Sequence, residues 1–167
     1  MKPFRYATLA AIAVAAATMF QVPQALAASS ASTAVGSCQA SLATYEAGLR
    51  KRPLAIQNEG TTNAFLTCSS QGGFNPVAVD SAVVIVRNLN ASTVDISCTL
   101  VDGPLPGVAS YFTKTISLPP DLFGVVGWEP SEYGLTTFSG SENFSCKVPP
   151  GVEVNVVGFG YHFGGTS

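Results

Sequence analysis

Two groups of residues in this 167-residue sequence have types and spacing that chemistry could use. One is a set of four cysteines, Cys38, Cys68, Cys98 and Cys146. The other is the segment Trp128-Glu129-Pro130-Ser131-Glu132-Tyr133, where aromatics and carboxylates are interleaved. A thiol works as catalyst or metal ligand only with partners. No two of these cysteines have the close spacing of a zinc or redox motif, and His162 is the single histidine. An even number of widely spaced cysteines in an exported chain is instead the pattern of disulfides. Four cysteines allow three pairings. Cys38–Cys68 with Cys98–Cys146 is favoured: the first ties an N-terminal lead-in to the end of a hairpin, the second joins two inward-facing strand positions. Each bridge would stabilise by roughly 3–4 kcal/mol in the chain-entropy model.

Trp128, Glu129, Glu132 and Tyr133 are the candidate ligand-binding residues. Sugar rings stack on aromatic faces while their hydroxyls bond to carboxylates. The competing reading makes Trp128 a core anchor in an ordinary loop. Glycoside hydrolysis needs two facing carboxylates, and sequence spacing does not make Glu129 and Glu132 such a pair. His162 has no nucleophile elbow to serve, and neither a zinc-protease helix motif nor a calcium loop is present. No catalytic residue, metal ligand or cofactor is therefore assigned, and a non-enzyme is expected. Arg50-Lys51-Arg52 concentrates half of the basic residues outside the first 27 positions. It reads as a solvated strand edge or loop, or as a small anion-binding spot. Lys114 shares an apolar face with Phe112, Ile116 and Leu118, which a bulge, snorkelling or a pair with a carboxylate would explain.

These residues must be positioned by strands. Alternation puts Val94, Ile96, Cys98 and Leu100 on one face, and Phe144, Cys146 and Val148 repeat it. Candidate strands are 52–58, 62–69, 77–88, 92–101, 110–118, 123–129, 142–148 and 152–163, separated by Gly- and Pro-rich turns. Residues 39–49 could form a turn or two of helix. The expected fold is all-β: an antiparallel two-sheet β-sandwich of about eight strands, Greek-key/jelly-roll or Ig-like, stapled by disulfides. Segments 54–68 and 84–98 echo each other at an offset of 30 residues, apolar run, Asn, turn, then apolar-Ser/Thr-Cys. That pattern predicts two β-hairpins. Phe159, Tyr161 and Phe163 should face inward from the last strand.

Residues 1–27 carry Lys2 and Arg5, an apolar run and the small-x-small site Ala25-Leu26-Ala27, the pattern of a signal peptide. A lipobox-like Val35-Gly36-Ser37-Cys38 fits less well, because lipidating Cys38 leaves an odd number of cysteines. Residues 28–37 are small and polar and read as a flexible lead-in; 38–167 then form a single domain. Without the first 27 residues the net charge is about −4, which argues against nucleic acid as partner. No later segment is long and apolar enough for a membrane-spanning helix.

The order of an N-terminal Cys, then Leu66-Thr67-Cys68, Ile96-Ser97-Cys98-Thr99-Leu100 and Phe144-Ser145-Cys146-Lys147-Val148-Pro149 resembles a group of small secreted bacterial all-β proteins with a C…CPL…C-x-L…C-x-LP pattern. Ser69-Ser70 and Val148 depart from that pattern. The resemblance implies export and disulfides and assigns no activity. The functional expectation is a secreted, extracellular or periplasmic, non-enzymatic binding domain for glycans or for an envelope or matrix component. A structural subunit of a fimbrial or coat assembly is the alternative, and a carbohydrate-active enzyme ranks lower.

Overall fold

The computed structural model describes residues 27–69, 79–103, 105, 107–140 and 142–162. Among them are β1 (Ala27–Thr33), β2 (Cys38–Ala40), β3 (Leu49–Arg52), β4 (Ala55–Asn58), β5 (Ala64–Ser69), β6 (Val79–Asn88), β7 (Val94–Asp102), β8 (Ser110–Leu118), β9 (Phe123–Trp128), β10 (Glu142–Val148) and β11 (Val152–His162). Single turns of helix, α1 (Ala34–Ser37) and α2 (Ala43–Glu46), lie between early strands, and a 3-10 turn spans Pro130–Tyr133. The front sheet runs β2-β5-β10-β7-β8 and the back sheet β3-β4-β11-β6-β9, with β1 also paired to β11; every pairing is antiparallel. Among the described residues no helix is long and apolar enough to cross a membrane.

The winding identifies the kind of sandwich. β4 to β5, β6 to β7, β8 to β9 and β10 to β11 each cross from one sheet to the other. The eight strands β4–β11 therefore lie in the order of a jelly roll, not of an Ig-like domain. Period-2 alternation supplies the core. Ile96, Cys98 and Leu100 of β7 face Val84 and Val86 of β6 across the interior, all 0% exposed. Trp128, Phe144 and Phe159 fill the middle, with Phe144 stacked on Phe159 at 5.0 Å and Trp128 5.5 Å from Phe144. Tyr161 packs against this core and Phe163 lies outside the described residues. Both disulfides, Cys38–Cys68 and Cys98–Cys146, join directly opposed residues of neighbouring front-sheet strands.

The two expected hairpins are β-arches. β4 and β5 belong to different sheets, and so do β6 and β7. An arch and a hairpin share one hydrophobic pattern, apolar strand, polar turn, apolar strand, so periodicity does not separate them. The buried asparagine does. Asn58 Nδ2 donates to the Thr62 and Val148 carbonyls, both at 2.8 Å, and its Oδ1 accepts from Gly60 N–H at 3.0 Å. Asn88 repeats this 30 residues later: Nδ2 to Ser92 O (2.8 Å) and Leu118 O (3.0 Å), Oδ1 from Asn90 N–H (2.9 Å). Each side chain replaces the ladder bonds that a crossing chain gives up, and each ties its arch to a neighbouring crossing. Asn90 Nδ2 adds a bond to Pro150 O at 2.8 Å. Gly151 sits beside it at φ 71°, and a Cβ there would lie 2.3 Å from Asn90 Oδ1, so only glycine fits.

Two further expectations change. Residues 28–37 are not a flexible lead-in: β1 pairs with β11 from Ala27↔His162 to Thr33↔Val156, and α1 follows. Its Ala and Ser side chains look like disorder by composition, yet small residues let β1 lie close to Gly158 of β11, where a Cβ would be 3.1 Å from Ser30 O. The expected strand 52–58 begins earlier as a true hairpin, β3–β4, closed at Arg52↔Ala55.

Candidate functional site

The aromatic–carboxylate loop begins where β9 ends. Pro130 starts the 3-10 turn with its φ already suited to it. Glu129 and Glu132 form a capping box, each side chain accepting the other's backbone N–H, and Gly134 at φ 71° ends the turn. Lys114 reaches this turn from β8. Its Nζ donates to Gly127 O at 2.6 Å and to Glu132 Oε1 at 2.7 Å. Trp128 Nε1 donates back to Phe112 O at 2.8 Å. These two bonds cross between β8 and β9, the facing edge strands of the two sheets, and give partners to edge carbonyls. Lys114 thus sits on the inner face of its strand because it closes the sandwich edge. The Lys114 hydrogen bond, then the Glu129 N–H, hold the Glu132 carboxyl below the usual carboxylate range.

The four candidate residues are brought together, but mostly to one another and to the core. Trp128 is 1% exposed and offers no face for stacking. Tyr133 packs on Phe112 with ring centroids 4.2 Å apart, and burial pushes its phenol up. Glu132 is held by Lys114, and a lowered carboxyl is the reverse of what a general acid needs. Glu129 stays exposed beside the turn it caps. Nearby, Glu142 and Asp102 face each other directly across β10 and β7. Burial, reinforced by the Asp102 charge, pushes the Glu142 carboxyl up to about 7, against the opposing pull of Gly140 N–H at 2.7 Å. Asp102 accepts from Ser139 N–H at 2.7 Å. The two acids therefore hold the backbone at Ser139 and Gly140. Among the described residues no three His, Cys, Asp or Glu side chains are grouped to hold a metal. The His162 side chain is outside the described residues; its backbone pairs with Ala27.

The outer face of the front sheet, which the loop-centred sequence reading passed over, is a hydroxyl array. Thr113, Thr99, Ser145, Thr67 and Gln39 lie side by side across β8, β7, β10, β5 and β2, and Thr115, Ser97, Lys147 and Phe65 form the next row. Thr99 and Thr113 bond at 2.8 Å, Thr115 to Ser97 at 3.0 Å, and Ser41 to Thr67 at 2.8 Å. A paired hydroxyl keeps further donor or acceptor capacity, so the array stays open to a ligand. Asp95 and Lys147 are the charged side chains among the outward positions of these strands. Aromatics stand at two corners: Tyr111 is 60% exposed, and Phe65, 37% exposed, lies 5.6 Å from the Tyr45 ring. The signal in the sequence was the outward Ser/Thr of 95–99 and 113–117.

No known family model matches this chain, and no curated protein matches it. Its fold resembles solved structures at low identity. An exo-β-1,3-galactanase from Phanerochaete chrysosporium aligns at 9% identity and TM-score 0.47, over 79% of this chain and 29% of that one. A CBM35 from Paenibacillus barcinonensis aligns at 9% and 0.45, over 77% and 95%. A family 11 carbohydrate-binding module from Clostridium thermocellum aligns at 11% and 0.40, over 84% and 91%. The chain thus spans under a third of the galactanase it matches and most of each module.

Proposed function

We propose that this chain is a secreted, non-enzymatic binding domain whose ligand is a neutral glycan lying on the outer face of the front sheet. One observation carries the reading: rows of Ser and Thr hydroxyls, almost free of charge, flanked by exposed Tyr111 and by Phe65 with Tyr45. Hydroxyls offer a sugar both donors and acceptors without the desolvation penalty of an ion. The aromatics offer flat apolar area to the C–H face of a pyranose. Adjacent strands are about 4.8 Å apart, close to the length of one sugar ring, so an extended chain crossing the strands meets a fresh hydroxyl with each residue. The Trp128 loop then acts as a brace under one edge of the face, with Glu129 and Tyr133 at its rim. The signal-like first 27 residues and the two disulfides, which oxidising compartments favour, support export.

The test is a glycan array and affinity electrophoresis in neutral and acidic polysaccharides, using oxidised protein. Tyr111→Ala and Phe65→Ala should each weaken binding about tenfold, the double variant more, with unchanged melting. A double variant that binds as the parent does would reject this face. Preference for polyanions would reject the neutral-ligand reading.

A further inference from the structure

At one edge of the sandwich the front strands β2 and β5 and the back strands β3 and β4 leave a cleft of about 380 Å³ near α2. That size falls within the range of small-ligand sites. Its floor is apolar: Ile56 and Leu66, one from each sheet, with Leu49 beside them. Its mouth carries three different polar groups, the Gln39 amide, the Glu46 carboxylate and the Lys51 ammonium. Alternation along β3 separates Lys51 from its neighbours. Arg50 and Arg52 both pair with Glu59, whereas Lys51 lines the cleft. The charges of Glu46 and Lys51 offset each other, so the cleft as a whole favours an uncharged ligand. An apolar floor under donor, acceptor and amide groups is complementary to a pyranose, which has a C–H face and a rim of hydroxyls.

Gln39 makes this more than a separate hole. It stands in register with Thr67, at the end of the row Thr113–Thr99–Ser145–Thr67. The hydroxyl row therefore runs to the lip of the cleft. We infer that the cleft holds the terminal sugar of a neutral glycan whose following residues lie across that row. This rests on the glycan-binding reading above and adds that the protein recognises chain ends.

Isothermal titration with neutral gluco-, manno- and galacto-oligosaccharides, each supplied free and with one terminal residue blocked by a bulky ether, tests it. The variants are Glu46→Ala, Lys51→Ala and Ala40→Trp, the last a plug in the cleft wall. Blocking one end should abolish binding, the plug should abolish it too, and each alanine should weaken it about tenfold. Glu46 and Lys51 are exposed, so those variants keep the test valid if the plug fails to fold. Parent-like affinity in all the folded variants, with Tyr111→Ala still weakened, would overturn the end-binding inference and leave the glycan reading standing. No binding of any oligosaccharide or polymer by the parent protein would overturn both.

Discussion

The two ends of the sandwich are held by different chemistry. At the arch end, Asn58 and Asn88 are 0% exposed and neutral, and their amides bond to the backbone of two other crossings, β10–β11 through Val148 and β8–β9 through Leu118. At the opposite end and the adjoining edge the ties are ionisable: Asp102 facing Glu142, and Lys114 holding Glu132. A buried amide has no charge to lose, so these amide bonds persist at any moderate pH. A buried carboxyl beside another gains or loses stability with each proton. Residues 129–140 are therefore held in part through carboxyls whose protonation is coupled to folding.

The largest effect should come from breaking the neutral end. Asn88→Ala leaves carbonyls and an N–H without partners and should cost about 3–5 kcal/mol in urea unfolding, equally at pH 5 and pH 8. Asn58→Ala should cost about 3 kcal/mol, again without pH dependence. Glu142→Gln comes next and has a sign. The folded carboxyl, raised to about 7, keeps a proton that the unfolded chain loses near 4.5. Stability should therefore fall as pH rises from about 4.5 to about 7, by on the order of 1–3 kcal/mol. The glutamine variant should remove that slope, gaining at pH 8 and changing little at pH 4.5. A pH-independent Glu142→Gln, or a pH-dependent Asn88→Ala, would erase the contrast between the ends. Smaller again, Trp128→Phe keeps the buried ring but loses the bond to Phe112 O, about 1 kcal/mol by thermal melting. The smallest is Lys114→Met. It should remove a weak slope of the opposite sign, because Glu132's lowered carboxyl contributes above its unfolded value and less as pH falls through its folded one.

What was legible in the sequence follows from which signals are local. Alternation located β5, β7, β10 and the inward Cys98 and Cys146, because a half-buried strand writes its burial into every second residue. The 30-residue echo was also visible, but its meaning was not. The asparagine that distinguishes an arch from a hairpin acts through Val148 and Leu118, far along the chain. β1 was illegible because alanine and serine pair by backbone alone and leave no apolar trace. Trp128 drew attention as an aromatic in a loop, yet packing against Phe144 decides its role. The hydroxyl face was the hardest to read. It is assembled from β8, β7, β10, β5 and β2, no three of them consecutive in the chain, and each contributes at most one hydroxyl to a row.

The position of β11 sets the timetable of folding. This strand, the last described, lies inside the back sheet, bonded to β4 and β1 on one side and β6 on the other. Until it arrives, β4 and β6 have no common neighbour, and β1 has no sheet to join. Contacts this distant in sequence are slow to form and leave unpaired edges meanwhile. The core therefore cannot close until the chain is available as far as β11, and the two sheets assemble late and together.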